Sequence, residues 1–227
     1  MRYISKQGQP QELIAWLRAP AETESDDVPI SWGYDDMPTD VYSAVLASLV
    51  REQGGLCCYT GRRITIDSSH VEHLRPQNPN VENVEQTSHE DTDYTNLLAA
   101  FPAPNGPGCR YGAHPRGNWH DETLFVHPLR RDCENRFRFQ LNGKMGPASN
   151  ADAGASETIK RLVLNHAELV EMRKAAIDAA IFDAKLSKAQ IQRLRDAMDQ
   201  RDGKGHFRPF CFAIKQACEK YLKRFDK

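Results

Sequence analysis

The chain lacks a long apolar run. Its mean hydropathy is -0.65, and it contains no stretch of the roughly 20 apolar residues that a transmembrane helix requires. The first residues are not followed by the apolar core of a signal peptide. We therefore expect neither a membrane span nor a secretion signal.

An excess of charge of one sign is also missing. The 30 Lys and Arg residues are balanced by 31 Asp and Glu residues, which gives a formal net charge of -1. A protein that binds nucleic acid nonspecifically and without help depends on a positive field. The composition argues against that class of protein.

The six cysteines lack the spacing of a disulfide framework. This usage predicts a reducing, bacterial-type cytoplasm as the location of the protein. The 227 residues contain no internal repeat and no low-complexity tract, and their number suits one large domain or two small ones.

Residues 1–50 form the first of three sections and are predicted to be helical. The run Glu12–Leu17 is a short amphipathic turn. A longer helix is expected to reach the end of this section, with Thr39 or Asp40 as its N-cap.

The second section, residues 51–130, is rich in turns, and its run Phe101–Gly108 contains three prolines and two glycines. That composition predicts a loop. The third section, residues 131–227, begins with the alternating run Phe137–Leu141, which ends at the pair Asn142-Gly143. Alternation followed by Asn-Gly predicts a β-hairpin.

The remainder of the third section is predicted to be helical. Apolar residues recur near a 3.6-residue period over residues 156–184. The run Ser187–Gln190 has the pattern of a capping box that opens another helix. Pro209 suits the first turn of a last helix that extends to about Phe225. The fold class predicted from these elements is α+β.

The most informative segment is Ser69–Pro76, in which Glu72 directly precedes His73. His70 lies on the same face of this short extended segment, two residues before Glu72. Asn96 and then His114 follow along the chain. This order supplies a base, a structural amide and a metal ligand, which a phosphodiesterase with one metal ion needs.

The chemistry of phosphodiester hydrolysis explains these residue types. A divalent cation neutralises the charge that develops on the phosphate. A neutral histidine can accept a proton from the attacking water, because its ordinary pKa lies near the working pH. Glu, Asn and His provide hard or borderline ligands for a divalent ion.

The local geometry leaves two conditions open. Glu72 and His73 point to opposite faces of a strand unless the segment turns there, and Pro76 makes a turn nearby plausible. His114 and Asn118 share a face if their segment is helical. The side chain of Asn96 is expected to hold the loop after His73 through hydrogen bonds to the backbone.

Several runs of this sequence together resemble one family, the HNH or ββα-metal nucleases. The similarity extends over roughly residues 1–180, and the chain resembles a bacterial subfamily of these nucleases in antiphage defence, found in Septu-type and retron-associated operons. The runs that carry it are Glu52–Ile64, Ser69–Pro76, Asp93–Leu98, His114–Asn118, Leu124–Leu129 and Ala155–Asn165.

The resemblance implies a ββα-metal core within residues 51–130, embedded between N-terminal and C-terminal helices. It places Glu72 as a metal ligand, His73 as the general base and Asn96 as the middle asparagine. It places His114 as the final metal ligand and Asn118 as an additional one. The implied ion is Mg²⁺, with Mn²⁺ as a substitute. The implied partner is an ABC-type or SMC-type ATPase, beside which this chain is the nuclease subunit.

The chain departs from the family in its cysteines. Many relatives carry two Cys-x-x-Cys knuckles that bind a structural zinc. In this chain Thr60 replaces the second cysteine of the first knuckle, after Cys57, and the second knuckle has only one cysteine, Cys109. Because a closed zinc site needs four ligands, we expect no structural zinc. Ligands from Cys58 or His120 would be required to complete one.

Two questions about binding and function stay open in the sequence. Arg75 and Arg116 can each hold a phosphate or bond a backbone carbonyl, and His70 is a further candidate for contact with substrate. DNA is the favoured substrate. The alternatives are an RNA such as tRNA, cleaved at the same site, or a module without activity that only binds the ATPase.

Overall fold

The structure is a computed structural model that describes residues 1–19, 33–77, 91–106, 108–182 and 186–225. It is a mixed α+β fold in which helices surround two small antiparallel sheets, as the sequence predicted. Within the described ranges, no helix is both long and apolar enough to cross a membrane.

Two helices are followed by the two strands of the first sheet, a short helix, the two strands of the second sheet and four helices. The helices are α1 (Gln11–Arg18), α2 (Thr39–Glu52), α3 (Ala113–Arg116), α4 (Ala153–Arg161), α5 (Ala167–Ile177), α6 (Lys188–Ala197) and α7 (Cys211–Leu222). The strands are β1 (His70–His73), β2 (Leu97–Ala100), β3 (Phe137–Phe139) and β4 (Met145–Pro147). Strand β1 pairs with β2, and β3 pairs with β4, both in antiparallel register.

The N-terminal helices α1 and α2 pack against each other, and α1 buries Leu13 and Trp16 on its inner face. The predicted N-cap of α2 was wrong by one residue, because Pro38 occupies that position and Thr39 begins the helix. The backbone of Pro38 is extended (φ -60°, ψ 149°). Its ring restricts φ to this value, and the chain enters the helix directly from it.

A buried amide connects α2 to the first sheet. The side chain of Gln53 donates to the carbonyls of Leu56 (2.8 Å) and Ala99 (2.9 Å) and accepts from the N–H of Ala99 (2.7 Å). Every residue of β2 is buried. The first sheet is therefore held against α2 by apolar packing and by one fully bonded side chain.

The single helix predicted over residues 156–184 is interrupted between α4 and α5, so this prediction was wrong. Val163 adopts a left-handed conformation (φ 48°). The side chain of Asn165 accepts from the N–H of Met145 (2.9 Å) and donates to its carbonyl (2.8 Å). The break lets Asn165 bond the edge of β4, which helical periodicity cannot indicate.

The other C-terminal predictions are largely confirmed. Strands β3 and β4 form the predicted hairpin, and the capping box of Ser187 and Gln190 opens α6. The last helix begins only at Cys211, after Phe210 in a left-handed conformation (φ 55°), so Pro209 lies outside it. Buried residues from all three sections of the chain form one hydrophobic cluster.

Candidate functional site

Strand β1 separates the motif residues onto two faces. His70 and Glu72 are half-buried on one face, and Val71 and His73 are buried on the other. The strand continues through His73, opposite Leu97 of β2. No turn intervenes between Glu72 and His73, and alternation along the strand makes their side chains diverge.

Glu72 lies in a nearly enclosed polar cluster with a side chain that is 13% exposed. The hydroxyl of Tyr59 donates to its Oε1 at 3.0 Å, and Nε2 of His70 lies 3.4 Å from its Oε2. Burial alone would raise the pKa of Glu72, but the hydrogen bond with His70 and the charge of Arg116 lower it below its ordinary value. Glu72 is therefore a carboxylate at neutral pH.

His70 is a second partner of Glu72 in this cluster, beside Arg116. Burial alone would lower the pKa of His70, but its bonds to Glu72 and to the carbonyl of Pro102 raise it. His70 thus gains protons at a higher pH than an ordinary histidine and adds positive charge beside Glu72.

Arg116 contacts the end of β1 and is almost fully buried, with 4% of its surface exposed. It donates to the carbonyls of His73 (2.8 Å) and Leu74 (3.1 Å) and to the hydroxyl of Tyr59 (3.1 Å). Its Nε lies 3.2 Å from Glu72 Oε1 without hydrogen-bond geometry, so that contact is a charge pair. Of the two roles expected for Arg116, the contacts are those of bonding carbonyls.

His73 is held in one tautomer. Its Nε2 lies 2.8 Å from the carbonyl oxygen of Asp91. Because a carbonyl only accepts, Nε2 carries the proton and Nδ1 is the basic nitrogen. The ring of Tyr34 contacts the imidazole edge to face, with 4.4 Å between ring centroids. Burial lowers the pKa of His73 below 6.5, which keeps the imidazole neutral at physiological pH.

Asn96 anchors the chain directly after His73. Its Oδ1 accepts from the N–H of Arg75 (2.8 Å), its Nδ2 donates to the carbonyl of Arg75 (3.0 Å), and its own carbonyl accepts from Leu74 (2.9 Å). These are the side-chain to backbone bonds that the sequence predicted for Asn96. They fix the end of β1 relative to the start of β2.

The second half of the motif lies on a short helix. Helix α3 ends at Arg116, and Gly117 follows with a positive φ of 50°. Asn118 lies outside the helix, so the condition for sharing a face with His114 is not met. His114 is exposed, and its Nδ1 accepts from the N–H of Cys109 at 3.2 Å.

An open cleft of about 260 Å³ borders Arg75 and Asn96, and His120, Glu122 and His127 line its other side. The side chain of Arg75 is 53% exposed and lies 3.3 Å from Glu122. Burial, followed by the charges of Arg130 and His120, lowers the pKa of His127 to about 4. The cleft therefore offers a neutral imidazole and one exposed guanidinium beside the motif.

The part of the chain that the structure describes holds no group of three or more His, Cys, Asp or Glu side chains arranged for a metal ion. The carboxylate of Glu72 is the kind of donor that Mg²⁺ takes, and its oxygens are shared in this structure with Tyr59, His70 and Arg116. This ion keeps several waters and binds proteins through one or two carboxylates together with substrate phosphates. Cys57 and Cys58 are buried free thiols in the core.

Sequence reasoning missed two residues that build this site. Tyr59 lies within the run Glu52–Ile64, between two cysteines and a glycine. Nothing in that run predicts that its hydroxyl donates to Glu72. Tyr34 belongs to no motif, and it reaches His73 only because its backbone N–H bonds the carboxylate of Asp91 at 2.9 Å.

Comparison of the chain with models of known protein families gave no match, and neither did comparison with curated proteins. The chemistry and geometry of the named residues, together with the resemblance in sequence, are therefore the basis for assigning a function.

Proposed function

We propose that the protein is a metal-dependent endonuclease of the HNH type that hydrolyses phosphodiester bonds of nucleic acid, with DNA favoured. The observation that carries the proposal is His73, a neutral imidazole of fixed tautomer at the end of β1. The half-buried carboxylate Glu72 precedes it on the opposite face of the strand, so a phosphate that meets both residues would lie across the end of β1. The order strand β1, strand β2 and helix α3 supports a ββα-metal core.

In this proposal Nδ1 of His73 accepts a proton from the water that attacks the phosphate. The bond from Nε2 to the carbonyl of Asp91 orients the ring and stabilises the imidazolium that forms. Glu72 would hold the divalent ion, with His114 and Asn118 as further proposed ligands. When bound, the ion supplies stabilisation of negative charge on the phosphate and the leaving oxygen. Arg116 positions Glu72.

The proposal includes an ABC-type ATPase as partner and a role in antiphage defence. The net charge of -1 gives little long-range attraction to a polyanion. Long-range attraction of the substrate would then come from the partner, and this chain would supply the cleavage.

Cleavage is expected to depend on Mg²⁺ or Mn²⁺, because a carboxylate with water ligands favours hard ions. Activity on labelled DNA and RNA should vanish in EDTA and return with either ion, with and without the ATPase. Glu72→Gln should weaken metal binding measured by calorimetry, whereas Glu157→Gln on the distant helix α4 should leave it unchanged. Cleavage that continues at full rate in EDTA would contradict the metal dependence.

The pH dependence of kcat/KM should identify the base. A base works when deprotonated, and the lowered pKa of His73 keeps it deprotonated below pH 6.5. The rate is expected to stay level as the pH falls to 6.5 and to decline, with a slope of one proton, only below it. The raised pKa of His70 would instead place the decline above pH 6.5. That outcome would assign the base to His70.

A further inference from the structure

Three aromatic side chains form a partly exposed ladder near the end of α7. The ring of Tyr221 contacts Phe182 and Phe225 edge to face, with 5.8 Å between centroids in each pair. Phe182 is 40% exposed and Phe225 is 48% exposed. Large apolar side chains exposed together in this way are typical of binding surfaces.

Cationic side chains border this ladder. Tyr221 and Lys220 lie in the last turn of α7, and Lys223, Arg224 and Phe225 follow in the turn after the helix ends at Leu222. The guanidinium of Arg224 lies 5.6 Å from the centroid of Tyr221. Lys223 is exposed beside them. We call the three aromatic residues with Arg138, Lys220, Lys223 and Arg224 the C-terminal patch.

The C-terminal patch holds four cations, and Glu219 precedes one of them, Lys220, in α7. Burial and the nearby charge of Arg138 lower the pKa of Lys220, and its ammonium donates to the carbonyl of Phe139. Among the residues that the structure describes, none of the four cations forms an ion pair with a carboxylate. The carboxylate of Asp178 on the adjoining turn is already paired with Lys174 at 2.6 Å.

We propose that the C-terminal patch binds single-stranded nucleic acid, with unpaired bases stacked on Phe182 and Phe225 and with phosphates on the lysines and arginines. Exposed aromatic rings bordered by cations bind single strands of any sequence, because every base has a π-face and every nucleotide a phosphate. Aromatic rings and arginines are also enriched in protein interfaces, but lysines are depleted there, so the two lysines of the patch favour a polyanion over a protein. The inference rests on the proposed function, to which it adds that the chain engages its substrate in single-stranded form.

The test measures binding separately from cleavage. Fluorescence anisotropy in EDTA would follow the full-length chain with labelled oligothymidylate and oligouridylate of about 20 nucleotides, longer than the ~4–16 nucleotides of known single-strand sites. The double variant Phe182→Ala with Phe225→Ala is expected to bind about tenfold or more weakly. Lys220→Gln with Arg224→Gln should reduce the dependence of affinity on salt. A duplex of equal length should bind more weakly than either single strand.

Matched controls use exposed side chains elsewhere. Leu17→Ala removes a side chain that is 37% exposed on α1, and Lys160→Gln removes a cation that is 79% exposed on α4. Both should bind like the unaltered chain. Equal affinity of the aromatic double variant and the unaltered chain would overturn the proposal. So would a double variant that keeps its affinity for oligonucleotide and loses a copurifying ATPase, because the patch would then be a protein interface. Binding without any cleavage would support the C-terminal patch as a binding site and contradict the proposed nuclease activity.

Discussion

Replacing His73 with alanine is expected to lower the rate of phosphodiester cleavage by about 100-fold or more, the range that a positioned general base contributes. The variant loses an imidazole that is neutral and is fixed in its tautomer by a backbone carbonyl, that of Asp91. Metal binding should change little, because Glu72 points to the opposite face of β1.

His73 also fills space against Tyr34, so its chemical role must be separated from its packing. Added imidazole should restore part of the rate of His73→Ala if the ring acts as a base, whereas lost packing would not be restored in this way. His206→Ala is the matched control, because the bond of His206 to Asp202 uses its backbone. His70→Ala tests the other histidine of β1.

Unchanged cleavage by His73→Ala would remove His73 from the mechanism. A large loss in His70→Ala together with a small loss in His73→Ala would move the base to the face of Glu72. Either result would require a different path for the proton and would leave the geometry of β1 as described.

The β3–β4 hairpin and the start of α6 show what local sequence can predict. The β3–β4 hairpin was predicted because Phe137–Leu141 alternates and Asn142-Gly143 favours a tight turn. The capping box at Ser187 was predicted because its partners are three residues apart. In both cases the interacting groups are close along the chain, so the pattern and the physical cause coincide.

The interactions that define the candidate site join distant segments. Asp91 fixes the tautomer of His73 through its backbone, and Tyr34 approaches only because Asp91 bonds its N–H. A carbonyl carries no residue-specific signal, and no sequence pattern could have selected Asp91. Asn96 was predicted correctly because its amide type and its order after His73 indicated a structural role.

The side chain of Arg173 shows the same limit in the core. It is 1% exposed and donates to the carbonyls of Gly143 (2.7 Å) and Leu164 (2.7 Å). Helical periodicity treats an arginine as a solvent-facing residue. The carbonyl of Leu164 is free because it lies in the break between α4 and α5, and that of Gly143 lies in the turn between β3 and β4.

Arg116 is a buried arginine that bonds residues distant in the sequence. Its replacement is expected to have the largest effect on stability. Arg116→Leu leaves the carboxylate of Glu72 without its cation and leaves the carbonyls of His73 and Leu74 without their donor. Removing one partner of a buried charge pair costs about 3–5 kcal/mol. The free energy of unfolding, measured by urea denaturation, should fall by about this amount.

A double-mutant cycle separates the charge pair from the other contacts of Arg116. Glu72→Gln removes the charge that Arg116→Leu would leave unpaired, so the double variant should lose less stability than the sum of the two single variants. Arg116→Lys keeps the charge without the planar fork and should be intermediate. Arg161→Leu is the surface control, because its pair with Glu157 has an arginine that is 51% exposed and should contribute less than about 1 kcal/mol. If Arg116→Leu unfolds at the same urea concentration as Arg161→Leu, the buried cluster around Glu72 does not hold the end of β1.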